Sequence, residues 1–576
     1  MANLVSALDS SAGIVYGENG APAIIAMGNN LVLEAFSKDL VRGRSIDVKN
    51  IWSNARRDEK AYLVLLIAYA RCIKNGAGER ALYYQALLDL YLVAPKTVLG
   101  LIPLLPNEEC LGNWKDFERI ALAANKRTED FKPLIKALSK HHAKVLYQDW
   151  LNVIHDTMDR SVVVTLAGKY ASTEGCAGWK VYGNMTAFHL YNLIPHLKAK
   201  HKSEVFCSYR KVLSQLRQAS NVVERKLCTG DLESIDFSKV PSGAMRILGK
   251  LAFKNLTKKK EIRHESPEWI ALAQRFEKFL AKVNKGEEKI HGGRLQIHQF
   301  PGMFDSPHDA SCGEDVFEAQ AADFIETLRK ECAQRAKQEG SAVVDLGKTI
   351  VMADVSGSMC TPIAGNVQAI QISTIIGWVV SQIADPAWRD RVMTFSEHPT
   401  WVDLSNHQTH RSKYHLIKRA PWGCNTNFEA AFEMVLQHAL KAKLSSEDME
   451  GVTLLVASDM QFDIAKCRSG DWETTYQTLA RRFKSFGFPV PRLIFWNLAA
   501  RETKGFVVSF NISGVITMSG FGVGQLKDLL AGKDLHVYPL DNMLRVFHSD
   551  HFKPIREVVV NAGEFPIPPG FLEKRE

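Results

Sequence analysis

The sequence lacks most of the features that identify a function quickly. Its ten cysteines stand singly, at Cys72, Cys110, Cys176, Cys207, Cys228, Cys312, Cys332, Cys360, Cys424 and Cys467, with no C-x-x-C pair. That argues against a zinc ribbon or a disulfide framework, and for a reducing, cytoplasmic setting. No stretch approaches about 18 consecutive apolar residues, so no membrane span is expected. The opening "MANLVSALDSSAG" has neither a charged n-region nor a long apolar h-region, so secretion is not expected. There is no G-x-x-x-x-G-K-[ST] loop, no G-x-S-x-G elbow and no H-E-x-x-H. "GFGVG", at 520–524, has Gln525 where a dinucleotide fingerprint needs its third glycine, and reads as a tight turn and helix start.

Strand signals are nearly absent from residues 1–300. "EKAYLVLLIAYARCIKN", "GERALYYQALLDLYLVAP" and "FKPLIKALSKHHAKVLYQDWL" instead carry apolar residues at three- and four-residue spacing, broken by Gly and Pro. The expectation is an α-helical, HEAT-like repeat domain over 1–300, with no clean repeat period. Its charge is uneven. Residues 1–300 carry about 14 more cations than anions and 301–345 about 6 fewer. A basic half suits an anionic partner, with RNA the leading candidate, or else simply a solvated surface.

In "PSGAMRILGKLAFKNLTKKKEIR", Arg246, Lys250, Lys254 and Lys258 recur every four residues. As one helix they would form a cationic stripe, with Lys259, Lys260 and Arg263 at its end. Arg210 and Arg217 would share a face on an earlier helix. Like charges at this spacing cost ~0.2–0.5 kcal/mol per pair, a cost an anion would offset. Evenly spaced cations suit phosphate contacts rather than base reading. Trp179, Tyr182, Tyr191 and Tyr209 could stack on bases, but read first as core.

Residues 301–345 read as a linker and connecting helix, introduced by the Gly-, Pro- and His-rich stretch 285–315. From 346 to 576 apolar strands alternate with amphipathic helices: "TIVMADVSGSM", "VQAIQISTIIGWVVSQIA", "GVTLLVASDMQFD", "PRLIFWNLAA". This is the pattern of a doubly wound α/β domain with a mostly parallel sheet. In such sheets, sites form at the carboxyl ends of strands. Asp354 stands at such an end, and Ser356 and Ser358 follow at alternate positions, so one carboxylate and two hydroxyls can face a common point. Thr426, in "PWGCNTNFEAAF", and Asp459, after "LLVAS", come from two further loops that could converge there. Hard oxygen ligands of low charge suit Mg²⁺; soft metals would want Cys or His, and none accompanies the pattern.

D-x-S-x-S at Asp354, Ser356 and Ser358, then Thr426 and Asp459, resembles the metal-ion-dependent adhesion site of von Willebrand factor A domains. That resemblance implies a doubly wound, Rossmann-like fold. It further implies a cation held by Asp354, Ser356, Ser358 and Thr426, with Asp459 acting through water, and an acidic group of a partner completing the site. The two-part layout resembles the Ro autoantigen architecture, in which HEAT-like helices bind RNA. It resembles more closely an uncharacterised family sharing "KNGAGER", "GNWKD", "YRKVLSQLRQASNVVER", "DFSKVPSGAM" and "VMADVSGSM".

Other candidates are weaker. His407, His410 and His415, and His548, Asp550 and His551, match no established zinc spacing. A haloacid-dehalogenase phosphatase would need a carboxylate where Ser356 stands. Asp463 and Glu397 are possible general bases, but read first as loop carboxylates. The expectation is therefore a non-enzymatic binding protein: a basic helical half for RNA, and a cation site for an acidic partner group. A protein-only adaptor or scaffold is the alternative, and a metal-dependent nuclease or phosphatase a further one.

Overall fold

The computed structural model describes residues 14–16, 22–24, 30–107, 111–155, 164–195, 201–257, 261–305, 314–338, 348–364, 366–384, 386, 388–395, 399–420, 428–460, 475–499, 515–530 and 539–573. Strands β1 (Ile14–Tyr16) and β2 (Pro22–Ile24) form a small antiparallel ribbon. Helices then follow one another from Leu31–Lys38 to Glu314–Gln338. The α/β part begins with β3 (Thr349–Asp354), the short hairpin β4 (Pro362–Ala364) and β5 (Val367–Gln368), then β6 (Arg391–Phe395) and β7 (Thr400–Asp403). It continues through β8 (Thr453–Ser458), β9 (Arg492–Asn497) and β10 (Val515–Ser519). A helical half followed by a sheet with helices on both faces is the expected α plus α/β layout. Among the described residues no helix is long and apolar enough to cross a membrane.

Six strands make one sheet in the order β10-β9-β8-β3-β6-β7, parallel except for the edge strand β7. The central strands "TIVMAD" and "TLLVAS" are buried at every position, which explains why they are unbroken apolar runs. Alternation divides them between two cores. Val351, Ala353, Leu455 and Ala457 face one way, towards helix Ala369–Ile383. Ile350, Met352, Leu454 and Val456 face the other, towards helices Phe428–Lys441 and Thr475–Ser485.

The cores do not follow the 1–300, 301–345 and 346–576 division of the sequence. Phe300 and Phe304 pack edge-to-face on Trp378, and Phe304 also packs at a tilt on Tyr414. Val316, Phe324, Ile325 and Leu328 of helix Glu314–Gln338 lie in the same core as that face of the sheet. Among the described residues of this stretch, Phe304 and helix Glu314–Gln338 are packed structure, because their aromatic and aliphatic side chains find a covered face. The last helices, Pro539–Phe547 and Lys553–Ala562, return to the first ones. Met543, Phe547, Ile555 and Val559 share a core with Phe36, Tyr62 and Tyr69.

A second joint is made of backbone. A Cβ on Gly522 would lie 2.3 Å from the Gly76 carbonyl oxygen, and one on Gly524 2.4 Å from the Gly76 nitrogen. "GFGVG" thus lies directly on the loop of "KNGAGER", which requires glycine. Beside it, the Leu40 N–H donates to Ser519 Oγ and that hydroxyl donates to the Phe36 carbonyl, each at 3.0 Å.

Candidate metal centre

Strands β3 and β8 are parallel neighbours, and the chain order reverses between them, so their carboxyl ends meet at the switch point of the sheet. β3 ends at Asp354, and the chain turns through Ser356 into the 3₁₀ turn Gly357–Cys360. β8 ends at Ser458, with Asp459 next. Asp354, Ser356, Ser458 and Asp459 are fully buried, and Ser358 is half-buried. Met460, at φ 63°, turns the backbone sharply after Asp459.

The hydrogen bonds hold Asp354 on both sides. Its Oδ1 accepts from the Ser356 N–H at 2.9 Å, and its Oδ2 from Ser458 Oγ at 2.5 Å. The Ser356 and Ser358 hydroxyl oxygens are 3.0 Å apart. Ser458 Oγ also accepts from the Met460 N–H at 3.1 Å. Burial, and then the neighbouring charge of Asp459, push the Asp354 carboxyl up to about 7, against the pull of Ser458 and Ser356. Two buried carboxylates that repel each other, bordered by hydroxyl oxygens, are a donor set of hard oxygens. A divalent cation would remove the repulsion, so the residues present fit one.

Four of the five expected ligands, Asp354, Ser356, Ser358 and Asp459, thus lie at adjoining strand ends. Thr426 lies outside the described residues, as do Glu397 and Asp463. Ser458 was not singled out from the sequence. Its only signal is a hydroxyl as the last residue of the strand, immediately before Asp459.

The cationic stripe is corrected. The α-helix Ser242–Leu248 and the π-turn Gly249–Phe253 end at Lys254, so the single helix that the stripe needs stops short of Lys258. Arg246 is half-buried, Lys254 is paired with Asp315 at 2.6 Å, and Arg263 is exposed. Lys258, Lys259, Lys260 and the side chain of Lys250 lie outside the described residues. Arg210 is paired with Glu174. Arg217 donates to the Gly168 and Ala171 carbonyls at 3.0 and 3.1 Å, closing the short helix Ala167–Tyr170. Both line an open groove of about 650 Å³ with Lys169, Arg225, Glu174 and Glu224. Tyr182, Tyr191 and Tyr209 are core residues.

The histidines have structural partners. His410 is bonded to the Trp378 indole at 3.3 Å, and His415 to the Phe304 carbonyl at 3.0 Å. His548 is bonded to the Tyr62 hydroxyl at 2.9 Å, and His551 to Cys72 Sγ at 3.0 Å.

Two family models match the chain. Residues 121–345 match a domain of unknown function, DUF2828, and residues 348–548 match another, DUF7788. Uncharacterized protein L728 of Acanthamoeba polyphaga mimivirus is 25% identical over 556 residues, which is 94% of this chain and 89% of that protein. Among solved structures, the Ro (RSR) protein of Deinococcus radiodurans aligns over 90% of this chain and 96% of its own, at 13% identity and a TM-score of 0.28. At that score the alignment does not establish a shared arrangement.

Proposed function

We propose that this chain is a non-enzymatic binding protein that holds a divalent cation, Mg²⁺ by ligand type, at the ends of β3 and β8 and offers it to an acidic group of a partner. One observation carries the reading: two fully buried carboxylates, Asp354 and Asp459, stand at neighbouring strand ends beside the paired hydroxyls of Ser356 and Ser358. Thr426 completes the set by the von Willebrand A pattern. Hard oxygens and few charges favour Mg²⁺, which keeps part of its water shell and can exchange it for a partner carboxylate. Calorimetry with Mg²⁺ and Mn²⁺, alongside thermal unfolding, tests this. Saturable binding and a cation-dependent rise in Tm are expected, both lost in Asp354→Ala. A wild-type protein indifferent to millimolar cation overturns the reading. Turnover of a nucleic acid or phosphoester that needs Mg²⁺ and Asp354 would replace it with the hydrolase alternative.

RNA binding is a second reading, favoured by the groove that Arg210 and Arg217 share with Lys169 and Arg225. Glu174 and Glu224 offset part of that charge, so weak, sequence-tolerant phosphate contact is the expectation. RNA affinity measured across a salt series should fall steeply as salt rises. A weak response without a salt slope leaves a protein-only adaptor.

A further inference from the structure

A second polar cavity lies far from the strand ends in sequence, where the motifs "KNGAGER" and "GNWKD" meet. It has a volume of about 270 Å³, and its wall includes Arg42, Arg71, Gly78, Glu79, Arg80 and His298. Arg71 ends helix Lys60–Arg71, Arg80 begins helix Arg80–Val93, and His298 belongs to the turn Ile297–Gln299.

Cations gather here beyond what the carboxylates match. Arg42 donates to Glu79 at 2.8 Å. Arg71 is fully buried and gives Nε and Nη2 to one oxygen of Asp116, at 3.1 and 2.7 Å. Asp116 also accepts from the Tyr84 hydroxyl at 2.5 Å and the Asn113 N–H at 2.8 Å. Arg71 Nη1 remains buried with no hydrogen-bond partner, and so does Arg246 Nε nearby. Arg80 reaches solvent at the mouth. Burial, then the charges of Arg71 and Arg119, lower the Arg80 guanidinium. Burial, then Arg42, Arg80 and Arg246, hold His298 neutral, down to about 3. Three guanidiniums, Arg42, Arg71 and Arg80, thus line this cavity, while Glu79 and Asp116 are the carboxylates that pair with them. The helix that starts at Arg80 has no side-chain cap at Glu79, and Glu79, Arg80 and Ala81 at its start line the cavity.

A buried guanidinium nitrogen without an acceptor is costly, and so are crowded like charges. An oxyanion with several acceptor oxygens offsets both, and arginine forks match phosphate geometry. We propose that this cavity binds a phosphate group, either the free ion or the phosphate end of a small phosphomonoester, between Arg71, Arg80 and the start of helix Arg80–Val93. The volume is close to the lower end for small-molecule sites, room for a phosphate with a small organic fragment.

Calorimetry on the full chain with inorganic phosphate and with ribose 5-phosphate, against chloride at matched ionic strength, tests the site. Saturable binding of at least one is expected: inorganic phosphate alone marks a free-ion site, and tighter ribose 5-phosphate a phosphomonoester site. Arg80→Ala, at an exposed position, should keep the circular dichroism of the wild type and weaken binding at least tenfold. Arg80→Lys should weaken it less. No saturable binding of either probe, or equal affinity in Arg80→Ala, overturns the proposal.

Discussion

The strand-end site depends on a residue that binds no cation itself in this reading. Ser458 Oγ donates to Asp354 Oδ2 and accepts from the Met460 N–H, so it fixes both the ligand carboxylate and the turn that carries Asp459. Groups that orient a metal ligand in this way commonly affect affinity ~10–100-fold. Ser458→Ala should weaken Mg²⁺ or Mn²⁺ binding by about that factor while saturable binding survives, whereas Asp354→Ala abolishes it. Calorimetry on both variants checks the ranking; a Ser458→Ala protein with wild-type affinity would show the hydroxyl to be packing only. Asp354, Ser356, Ser358 and Asp459 were legible because each follows an unbroken apolar run, which predicts a strand end. Ser458 was not, because within a strand a terminal serine looks like one more buried position. The glycines of "KNGAGER" and "GNWKD" were legible as patterns but not as neighbours. A Cβ on Gly112 would come within 2.2 Å of an Asp116 oxygen, a constraint that exists only after folding.

Elements were read well where the hydrophobic period had one interpretation. The buried strands β3, β8 and β9 fall where apolar runs predicted them, and helix Lys132–His155 where three- and four-residue spacing did. The Arg246 to Lys258 stripe failed because spacing was assumed to continue through a helix end. Asn255, at φ 50°, closes that segment with a left-handed turn that propensity alone does not locate. Helix Lys132–His155 also carries a pH dependence. His142 is fully buried, bonded to the Tyr182 hydroxyl at 2.7 Å and the Ala167 carbonyl at 3.1 Å. Burial lowers it from 6.5 to about 4. In the unfolded chain it takes up a proton first, so its contribution to stability is complete above pH 6.5 and is lost as pH falls towards 4. At pH 5 the loss is about 2 kcal/mol. Urea unfolding at pH 7 and pH 5 should show the wild type losing about that much more than His142→Gln; equal losses would place the acid sensitivity elsewhere.

At the scale of the whole molecule, amphipathic faces in the sequence announce that something covers them without saying what. Helices in the first part of the chain were expected to cover one another as stacked repeats. In the structure part of that cover comes from the far end of the chain. Phe547 packs on Phe36, Tyr62 and Tyr69, Phe571 on Tyr62, and Phe565 on Trp52. Glu564 accepts from the N–H groups of Lys96 and Thr97 at 3.0 and 2.7 Å, capping helix Pro95–Leu101. Each large buried side chain removed from such a core costs ~2–5 kcal/mol. Loss of Phe547, Phe552, Ile555 and Phe571 together, about 8–20 kcal/mol on that scale, is therefore as large as the ~5–15 kcal/mol that holds a typical domain folded. A chain ending at residue 538 should lose the cooperative unfolding of its first helices, and proteases should cut within 31–216 before they cut the sheet. A peptide of residues 539–576 added in trans should restore protection there. A shortened chain with wild-type protection and Tm would mean that the first helices stand alone, and that the returning segment is only an attachment.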